Sequence, residues 1–241
     1  MSQQAYPHHM LREIHEQPKA IRQTLKKEGD RIAELAETLR ERRPRFMILA
    51  ARGTSDNAGT YLRYIVGAVT GMIVAPAAPS LLTAYRSKMR IEDTVVIGIS
   101  QSGEATDVIE VLETSRKLGA TTIALTNTAD SPIVNAVEFP LLTHAHREKA
   151  VAATKTYTSQ LACIALLSAA LSGETDRLEQ LQAIPKAVAQ TLELEDQART
   201  SVERYRYMDS ALVLSRGYNL ATASEIALKI KELTYSHVQP Y

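Results

Sequence analysis

The 241-residue chain has 28 Lys and Arg against 27 Asp and Glu, with one Cys and no Trp. Hydrophobic residues at 45% and charged residues at 23% are typical of a globular protein with a sizeable core, and they exclude wholesale disorder. A net charge of +1 gives no electrostatic basis for nucleic-acid binding. The single cysteine, Cys163, excludes an internal disulfide framework and a multi-cysteine metal site.

The N-terminus does not have the pattern of a secretory signal, because MSQQAYPHHM lacks a basic region followed by an apolar one. Residues 64–85 are uncharged and long enough to cross a bilayer. Pro76 and Pro79 would break such a helix, so we interpret the stretch as a helix end, a strand at 72–74 and a loop. We expect a cytoplasmic protein without a membrane partner.

The first 45 residues are predicted to be helical. Residues 9–28 have apolar side chains at helical spacing, although Pro18 predicts a break or a helix start nearby. Residues 30–41 form a second predicted helix, which ends in a basic cluster around Pro44. An anion patch would explain the cluster, but cations complementing a helix C-terminus are the simpler interpretation.

Short apolar runs then alternate with helical stretches of a dozen or more residues. The predicted strands are residues 46–50, 72–74, 94–99, 121–126 and 138–142. The predicted helices follow the first strand to about residue 69, the third over 105–117 and the last over 151–171. Such alternation is typical of βαβ units, so we predict an α/β fold with a parallel sheet covered on both faces.

The end of the chain repeats the start of this pattern. Residues 174–209 are predicted to be helical and polar-striped, and residues 212–217 and 220–233 again have the order strand, Arg-Gly turn, helix. The sequence therefore predicts one complete α/β domain, followed by the opening of a second.

Two loops carry the chemistry expected at the carboxyl ends of parallel strands. One contains Thr54 and Ser55, and the other contains Ser100, Gln101 and Ser102. Each places hydroxyl side chains before a helix N-terminus, where free N–H groups favour an anion. Neither is a P-loop, so a single phosphate on a small molecule suits them better than a triphosphate. Ordinary helix N-caps are the alternative interpretation.

A second constellation lies on the predicted helix 220–233. Glu225, Lys229 and Glu232 share one face of this helix by their spacing. A carboxylate beside a cation is what proton transfer next to a carbonyl needs. Spacing alone equally fits a solvated ion-paired stripe.

Other chemistry-bearing residues give weaker signals. His144, His146 and Glu148 could ligate a metal, but no third strong ligand is evident, and we expect neither a metal nor a cofactor. Cys163 lies in a small-apolar helix face and is interpreted as a core residue.

Five motifs resemble the sugar isomerase (SIS) family: LREIHEQPKAI, ARGTSDNAG, ISQSGEATD, VAATKTYTSQL and EIALKIKELTYSHVQPY. They are most similar to the isomerase half of glucosamine-6-phosphate synthases and to stand-alone relatives such as SIS-type deaminases. The resemblance implies a three-layer αβα fold with a five-stranded parallel sheet. It also implies a helical segment at 1–45, a first SIS domain at 46–200 and an incomplete second one at 201–241.

The resemblance also implies roles for individual residues. It implies that the phosphate is bound by Ser55, Ser100, Gln101 and Ser102, and that the sugar is contacted by Thr54 and Val151. It implies that Glu232 is the general base, with Lys229 and Glu225 in supporting roles beside it. The hydroxyl residue that usually follows SQSGE is replaced by Ala105, and Thr106 beside it is the substitute we expect. Arg52 and Ala153 also depart from the synthases, which leaves the fine choice of substrate open.

The function that the resemblance implies is an aldose–ketose isomerase that interconverts fructose 6-phosphate and glucosamine 6-phosphate, as an aminotransferase or a deaminase. The alternative is a non-catalytic module that binds a sugar phosphate and regulates another protein. We expect no glutaminase domain, because the chain opens on predicted helices and has no Cys at position 2, and the resemblance implies that the family's ring-opening histidine would follow residue 241. The apolar face of residues 151–171 exceeds what one sheet layer needs, which predicts a homodimer.

Overall fold

The computed structural model describes residues 8–241. Five of its strands form one parallel sheet, in the order β2-β1-β3-β4-β5, and two more form a separate parallel pair. The strands are β1 Phe46–Ala51, β2 Ile73–Pro76, β3 Thr94–Ile99, β4 Thr121–Thr126, β5 Phe139–Leu142, β6 Ser210–Val213 and β7 His237–Pro240. The five predicted strands are therefore the five strands of the main sheet. β3 and β4 have the predicted bounds, and the bounds of the other three differ by one or two residues.

The helices alternate with the strands of the sheet and then follow one another. They are α1 His9–Arg42, α2 Thr54–Thr70, α3 Pro79–Thr83, α4 Thr106–Lys117, α5 Pro132–Asn135, α6 Lys155–Ser172, α7 Thr175–Leu181, α8 Ile184–Leu192, α9 Glu195–Val202 and α10 Asn219–Thr234.

The sheet separates two apolar layers, as alternate side chains of a strand point to opposite faces. Met47, Leu49 and Ile97 pack on one face with α1, α2 and α6. Ala50 and Val96 pack on the other face with apolar residues of α4 and α5. All six residues of β3 and of β4 are buried, which explains why these strands contain only apolar residues and threonine. The predicted three-layer αβα fold with a five-stranded parallel sheet is confirmed.

The prediction of two N-terminal helices with a break near Pro18 is wrong. One 34-residue helix, α1, runs through Pro18 without interruption. Its buried face continues from Ala20 to Leu39 and packs against α6. This packing outweighs the single backbone hydrogen bond that Pro18 cannot donate.

The predicted helices that match α2, α4 and α10 agree with the structure to within a residue or so, but two other predicted helices, over 151–171 and 174–209, differ from it. Residues 151–154 belong to a loop, and α6 begins only at Lys155. The predicted helix over 174–209 is divided among α7, α8, α9 and a short 3₁₀ turn. Its sequence has few residues that reach the core, so no long apolar face holds it in one piece.

The apolar face that predicted a homodimer is covered within the chain. Cys163, Ile164 and Leu167 of α6 are buried, because α1 packs on α6 in addition to α2 and the sheet. This surface therefore does not require a second subunit. The homodimer stays a prediction, which light scattering can test.

The C-terminal residues form a βαβ unit of their own. Strand β6 pairs with β7 in parallel, with Ser210 opposite His237, and α10 connects them. The predicted strand at 212–214 lies two residues earlier, and β7 was not predicted. Helix α10 packs against α2 of the first unit. That this unit opens a second SIS domain, and that the first ends near residue 200, stays a prediction.

Within the part of the chain that the structure describes, no helix has both the length and the apolar character needed to cross a membrane.

Candidate active site

The two hydroxyl loops lie side by side at the carboxyl edge of the sheet. Strands β1 and β3 are neighbours, with Ala51 paired to Ile99 at their ends. The chain proceeds from β1 outward to β2 on one side, and from β3 to β4 on the other. The strand order therefore reverses between these two loops, which is where doubly wound sheets bind their ligands.

The loop after β1 turns at Gly53, whose φ of +57° suits glycine, and leads directly into α2. Thr54 and Ser55 are the first two residues of that helix. Ser55 is buried, and its Oγ accepts a hydrogen bond of 3.2 Å from Nε2 of Gln160 on α6. The sequence predicted the two hydroxyls. It placed Gln160 in the motif VAATKTYTSQL but gave no sign of its contact with Ser55, which is 105 residues away along the chain.

The loop after β3 is folded by hydrogen bonds to its own serines. The N–H of Gly103 donates to Ser100 Oγ at 3.2 Å, and the N–H of Glu104 donates to Ser102 Oγ at 3.3 Å. A hydroxyl that accepts in this way keeps its hydrogen for another acceptor. Gln101 is half-buried, and its carbonyl accepts from the N–H of Asn127 at 3.0 Å, which fixes the loop to the end of β4.

An ion pair links the two loops. Arg52 Nη2 lies 3.2 Å from Asp107 Oδ1, and Asp107 belongs to the first turn of α4. Thr106 is the exposed first residue of that helix, at the same edge as Ser102. The side chain proposed as a substitute hydroxyl is therefore accessible to a ligand at this edge.

The three ionisable residues of α10 meet the first loop. Lys229 Nζ lies 2.7 Å from Glu232 Oε2, 3.3 Å from Glu225 Oε1 and 3.0 Å from Thr54 Oγ1. Glu225 also accepts hydrogen bonds from Thr54 Oγ1 at 3.1 Å and from Asn57 Nδ2 at 2.7 Å. The predicted shared face is confirmed, and it contacts the N-terminus of α2.

Burial differs across this cluster. Only 6% of Glu225 is exposed, whereas 38% of the Glu232 side chain is. A simple solvated stripe would leave all three side chains in water, so this interpretation does not fit Glu225. Nearby, burial raises the pKa of Tyr157, and the charge of Glu225 raises it further, so this phenol stays protonated.

The structure does not bring the Val151 side chain into the cluster. Val151 is fully exposed on the loop between β5 and α6. Buried Glu13 holds this loop by accepting from the N–H groups of Lys149 at 2.6 Å and Ala150 at 3.0 Å. The predicted sugar contact at Val151 thus depends on its backbone.

Glu148 closes the same loop. Its carboxylate accepts from the N–H of Thr154 at 2.7 Å and of Lys155 at 2.9 Å, so it caps the start of α6. An acidic residue seven positions before a helix start is too common a pattern to identify this cap from sequence.

The candidate metal ligands point to different partners. His144 Nε2 pairs with buried Glu28 at 2.6 Å, while Glu148 caps α6. Among residues 8–241, no group of three or more His, Cys, Asp or Glu side chains is arranged to hold a metal ion. Cys163 is buried, and burial raises the pKa of its thiol, as for a core residue.

The SIS domain model matches residues 41–170, more than half of the chain, and the chain belongs to the SIS domain family. The resemblance that the motifs indicated is confirmed. Glutamine–fructose-6-phosphate aminotransferase (isomerizing) from Aquifex aeolicus is 37% identical over 98% of this chain and 40% of its own length. The enzyme of the same name from Sulfurisphaera tokodaii is 34% identical over 100% of this chain and again 40% of its own length. The chain thus spans about two fifths of these curated relatives.

Solved structures show the same fold. A Silicibacter pomeroyi protein described as a phosphosugar isomerase has a TM-score of 0.91 and 32% identity, covering 97% of this chain and 71% of its own. The C-terminal domain of glucosamine-fructose-6-phosphate aminotransferase from Francisella tularensis has a TM-score of 0.88 and 28% identity, covering 100% and 71%. Glucosamine-6-phosphate deaminase from Thermotoga maritima has a TM-score of 0.75, and the match covers 97% of this chain and 70% of the deaminase chain. It shares only 19% identity, so this likeness shows the fold alone.

Proposed function

We propose that this chain forms the sugar-phosphate site and the proton-transfer group of an aldose–ketose isomerase of amino-sugar metabolism. The substrates are fructose 6-phosphate and glucosamine 6-phosphate. An aminotransferase adds an amino group to fructose 6-phosphate to form glucosamine 6-phosphate, whereas a deaminase converts glucosamine 6-phosphate into fructose 6-phosphate and releases the amino group as ammonia. One observation carries the proposal. Lys229 Nζ contacts both Glu232 and Thr54, and Thr54 precedes Ser55 of the phosphate loop. The proton-transfer group and the anion site are thereby parts of one continuous surface.

In this proposal, the phosphate binds between the loops after β1 and β3. The hydroxyls of Ser55, Ser100 and Ser102 donate to its oxygens, together with N–H groups at the starts of α2 and α4. None of these donors carries a formal charge. The site therefore suits a phosphate monoester that arrives without magnesium.

Glu232 is the general base in this proposal. Isomerisation moves a proton between C1 and C2 of the sugar, and one carboxylate can remove it and return it on the same face. Glu232 is the most exposed of the three side chains, so it can reach a substrate. The ammonium of Lys229 can stabilise the oxyanion that develops beside the transferred proton. Glu225 is buried and positions Lys229 and Thr54.

Glu232→Gln in the complete protein tests the proposal. Turnover of glucosamine 6-phosphate, followed by ammonia release and fructose 6-phosphate formation, should fall by about two to four orders of magnitude. Calorimetric affinity for the sugar phosphate should change little, because the phosphate loops are intact. Lys231→Gln, on the same exposed turn, is the matched control and should keep full turnover.

The outcomes separate the two functions. Sugar-phosphate binding without turnover in the wild-type protein would favour the alternative, a non-catalytic regulatory module. Normal turnover in folded Glu232→Gln would leave Glu232 as only an ion-pair partner of Lys229, worth about 0.3–0.5 kcal/mol.

A further inference from the structure

We propose that Gln160 is a positioning residue for phosphate, because it sets the direction in which the Ser55 hydroxyl donates. The inference rests on the proposed function and deepens it. The two residues come from different helices, Gln160 from α6 and Ser55 from the first turn of α2, and those helices pack against each other.

The contact between them is fully internal. Gln160 is 1% exposed and Ser55 is 7% exposed, and Gln160 Nε2 donates to Ser55 Oγ at 3.2 Å. A serine hydroxyl has one hydrogen to donate and can accept two. Because Ser55 Oγ accepts a hydrogen bond from Gln160 on its buried side, we infer that its own hydrogen is directed away from the amide. It is then available to an acceptor in the crevice between the loops after β1 and β3.

The same arrangement occurs at the neighbouring loop. Ser100 Oγ and Ser102 Oγ also accept from N–H donors, which there are the backbone groups of Gly103 and Glu104. Phosphate oxygens only accept, so each of the three hydroxyls must donate to bind one. At Ser55 a side chain supplies the N–H that the backbone supplies at the other two.

Gln160 is also a poor choice if its role is only structural. Its Oε1 is buried without a hydrogen-bond partner among the described residues. An unpaired buried carbonyl is unfavourable, and an apolar side chain of equal length would avoid it. A role for the Nε2 group explains why an amide occupies this position on α6.

Two substitutions in the full-length protein test the inference. Gln160→Met keeps the side-chain length and removes the donor, so the Kd for fructose 6-phosphate should rise about 5- to 15-fold. Gln160→Glu keeps the shape but only accepts, so it should draw the Ser55 hydrogen inward and weaken binding further. Inorganic phosphate should lose affinity in the same order, because the effect concerns the phosphate group.

Ser159→Ala is the matched control. Ser159 is adjacent on α6, is fully buried, and has a hydroxyl without a partner among the described residues. Its removal should leave both affinities unchanged. Thermal unfolding of every variant verifies that the fold is intact.

A double-mutant cycle separates positioning from packing. In a Ser55→Ala background, Gln160→Met should cause no additional loss, since the hydroxyl that it orients is absent. An equal loss in both backgrounds, or native affinity in Gln160→Met itself, would overturn the inference while leaving the proposed function in place. Wild-type protein that binds no fructose 6-phosphate would overturn both.

Discussion

Glu225 is the residue on which the cluster depends, because three hydrogen-bonding partners surround one buried carboxylate. Glu225→Gln would place an amide N–H against the donors Thr54 and Asn57, one of which must lose its acceptor. We expect the free energy of unfolding to fall by about 1–3 kcal/mol, measured by urea denaturation.

Glu232→Gln is the control for this prediction, because its side chain is more exposed and pairs only at the surface. It should change the unfolding free energy by about 0.5 kcal/mol or less. Equal destabilisation by both substitutions would contradict the positioning role of Glu225.

At the residue scale, local patterns identified the groups of the candidate site but not the buried residues that hold them. The loop hydroxyls and the trio of α10 follow from motif and helical spacing. Gln160 and Glu13 lie within two of the motifs, but their roles do not follow from them, since their partners lie 105 and 136 residues away in sequence. No periodicity records a contact that exists only after the helices have packed.

The loop after β3 requires glycine at position 103. Gly103 has a φ of +71°, and a Cβ placed there would lie 2.1 Å from Ser131 Oγ. Gly103→Ala should therefore lower the unfolding free energy by about 1–3 kcal/mol and weaken phosphate binding, because the loop must move.

Gly29→Ala provides the contrast for the loop glycine. Gly29 lies inside α1, and a Cβ there would meet nothing within 4 Å. Alanine should stabilise the protein by about 0.5–1 kcal/mol through helix propensity. A similar effect of both substitutions in chemical denaturation would show that the loop tolerates a side chain.

An ion pair between Arg42, the last residue of α1, and Glu138, just before the edge strand β5, should weaken in acid. Hydrogen bonds from Arg42 hold the pKa of Glu138 below its usual range. A carboxyl whose pKa is lower in the folded state than in the unfolded state stabilises the protein at pH values above its unfolded-state pKa, which is about 4.3 for Glu. This contribution is lost as the pH falls further, through the folded-state pKa.

Glu138→Gln should accordingly destabilise the protein at neutral pH by less than about 1 kcal/mol, since the pair is partly exposed and screened by water. Thermal unfolding of wild type and variant should converge as pH is lowered below 4. A difference that grows in acid would contradict the assigned sign.

At the element scale, the strands of the main sheet were predictable because β3 and β4 are runs of apolar residues and threonine without a charged residue, and they are bounded by polar turns. The continuity of α1 was not, because it depends on packing against α6 rather than on the local effect of Pro18. Strand β7 was also missed. Its HVQP sequence is short and mixed, and it becomes a strand by pairing with β6.

Across the whole molecule, burial predicts a gradient of local stability. Strands β3 and β4 lie in the centre of the sheet, whereas Leu212 of β6 and the neighbouring Leu214 are 64% and 73% exposed. Regions with few buried contacts open more readily than the core.

Amides of β6 and β7 should therefore exchange hydrogen at least tenfold faster than those of β3 and β4, measured by mass spectrometry. Helix α10 should be intermediate, because Ala223 and Ala227 are buried while Ile226 and Leu233 are exposed. Uniform protection across all seven strands would show instead that the C-terminal unit is as stable as the first.

By capping the N-terminus of α6, Glu148 also affects which helix start can bind an anion from outside the chain. Three long helices, α2, α4 and α6, begin at the carboxyl edge of the sheet, and each start attracts negative charge. The N-cap residues of α2 and α4 make no side-chain cap, whereas Glu148 fills the start of α6 with the chain's own carboxylate. In the proposed function, the starts of α2 and α4 are therefore the ones left to a phosphate. Because Lys229 contacts both Thr54 at the start of α2 and Glu232, a sugar whose phosphate binds there would have its carbon chain beside Glu232.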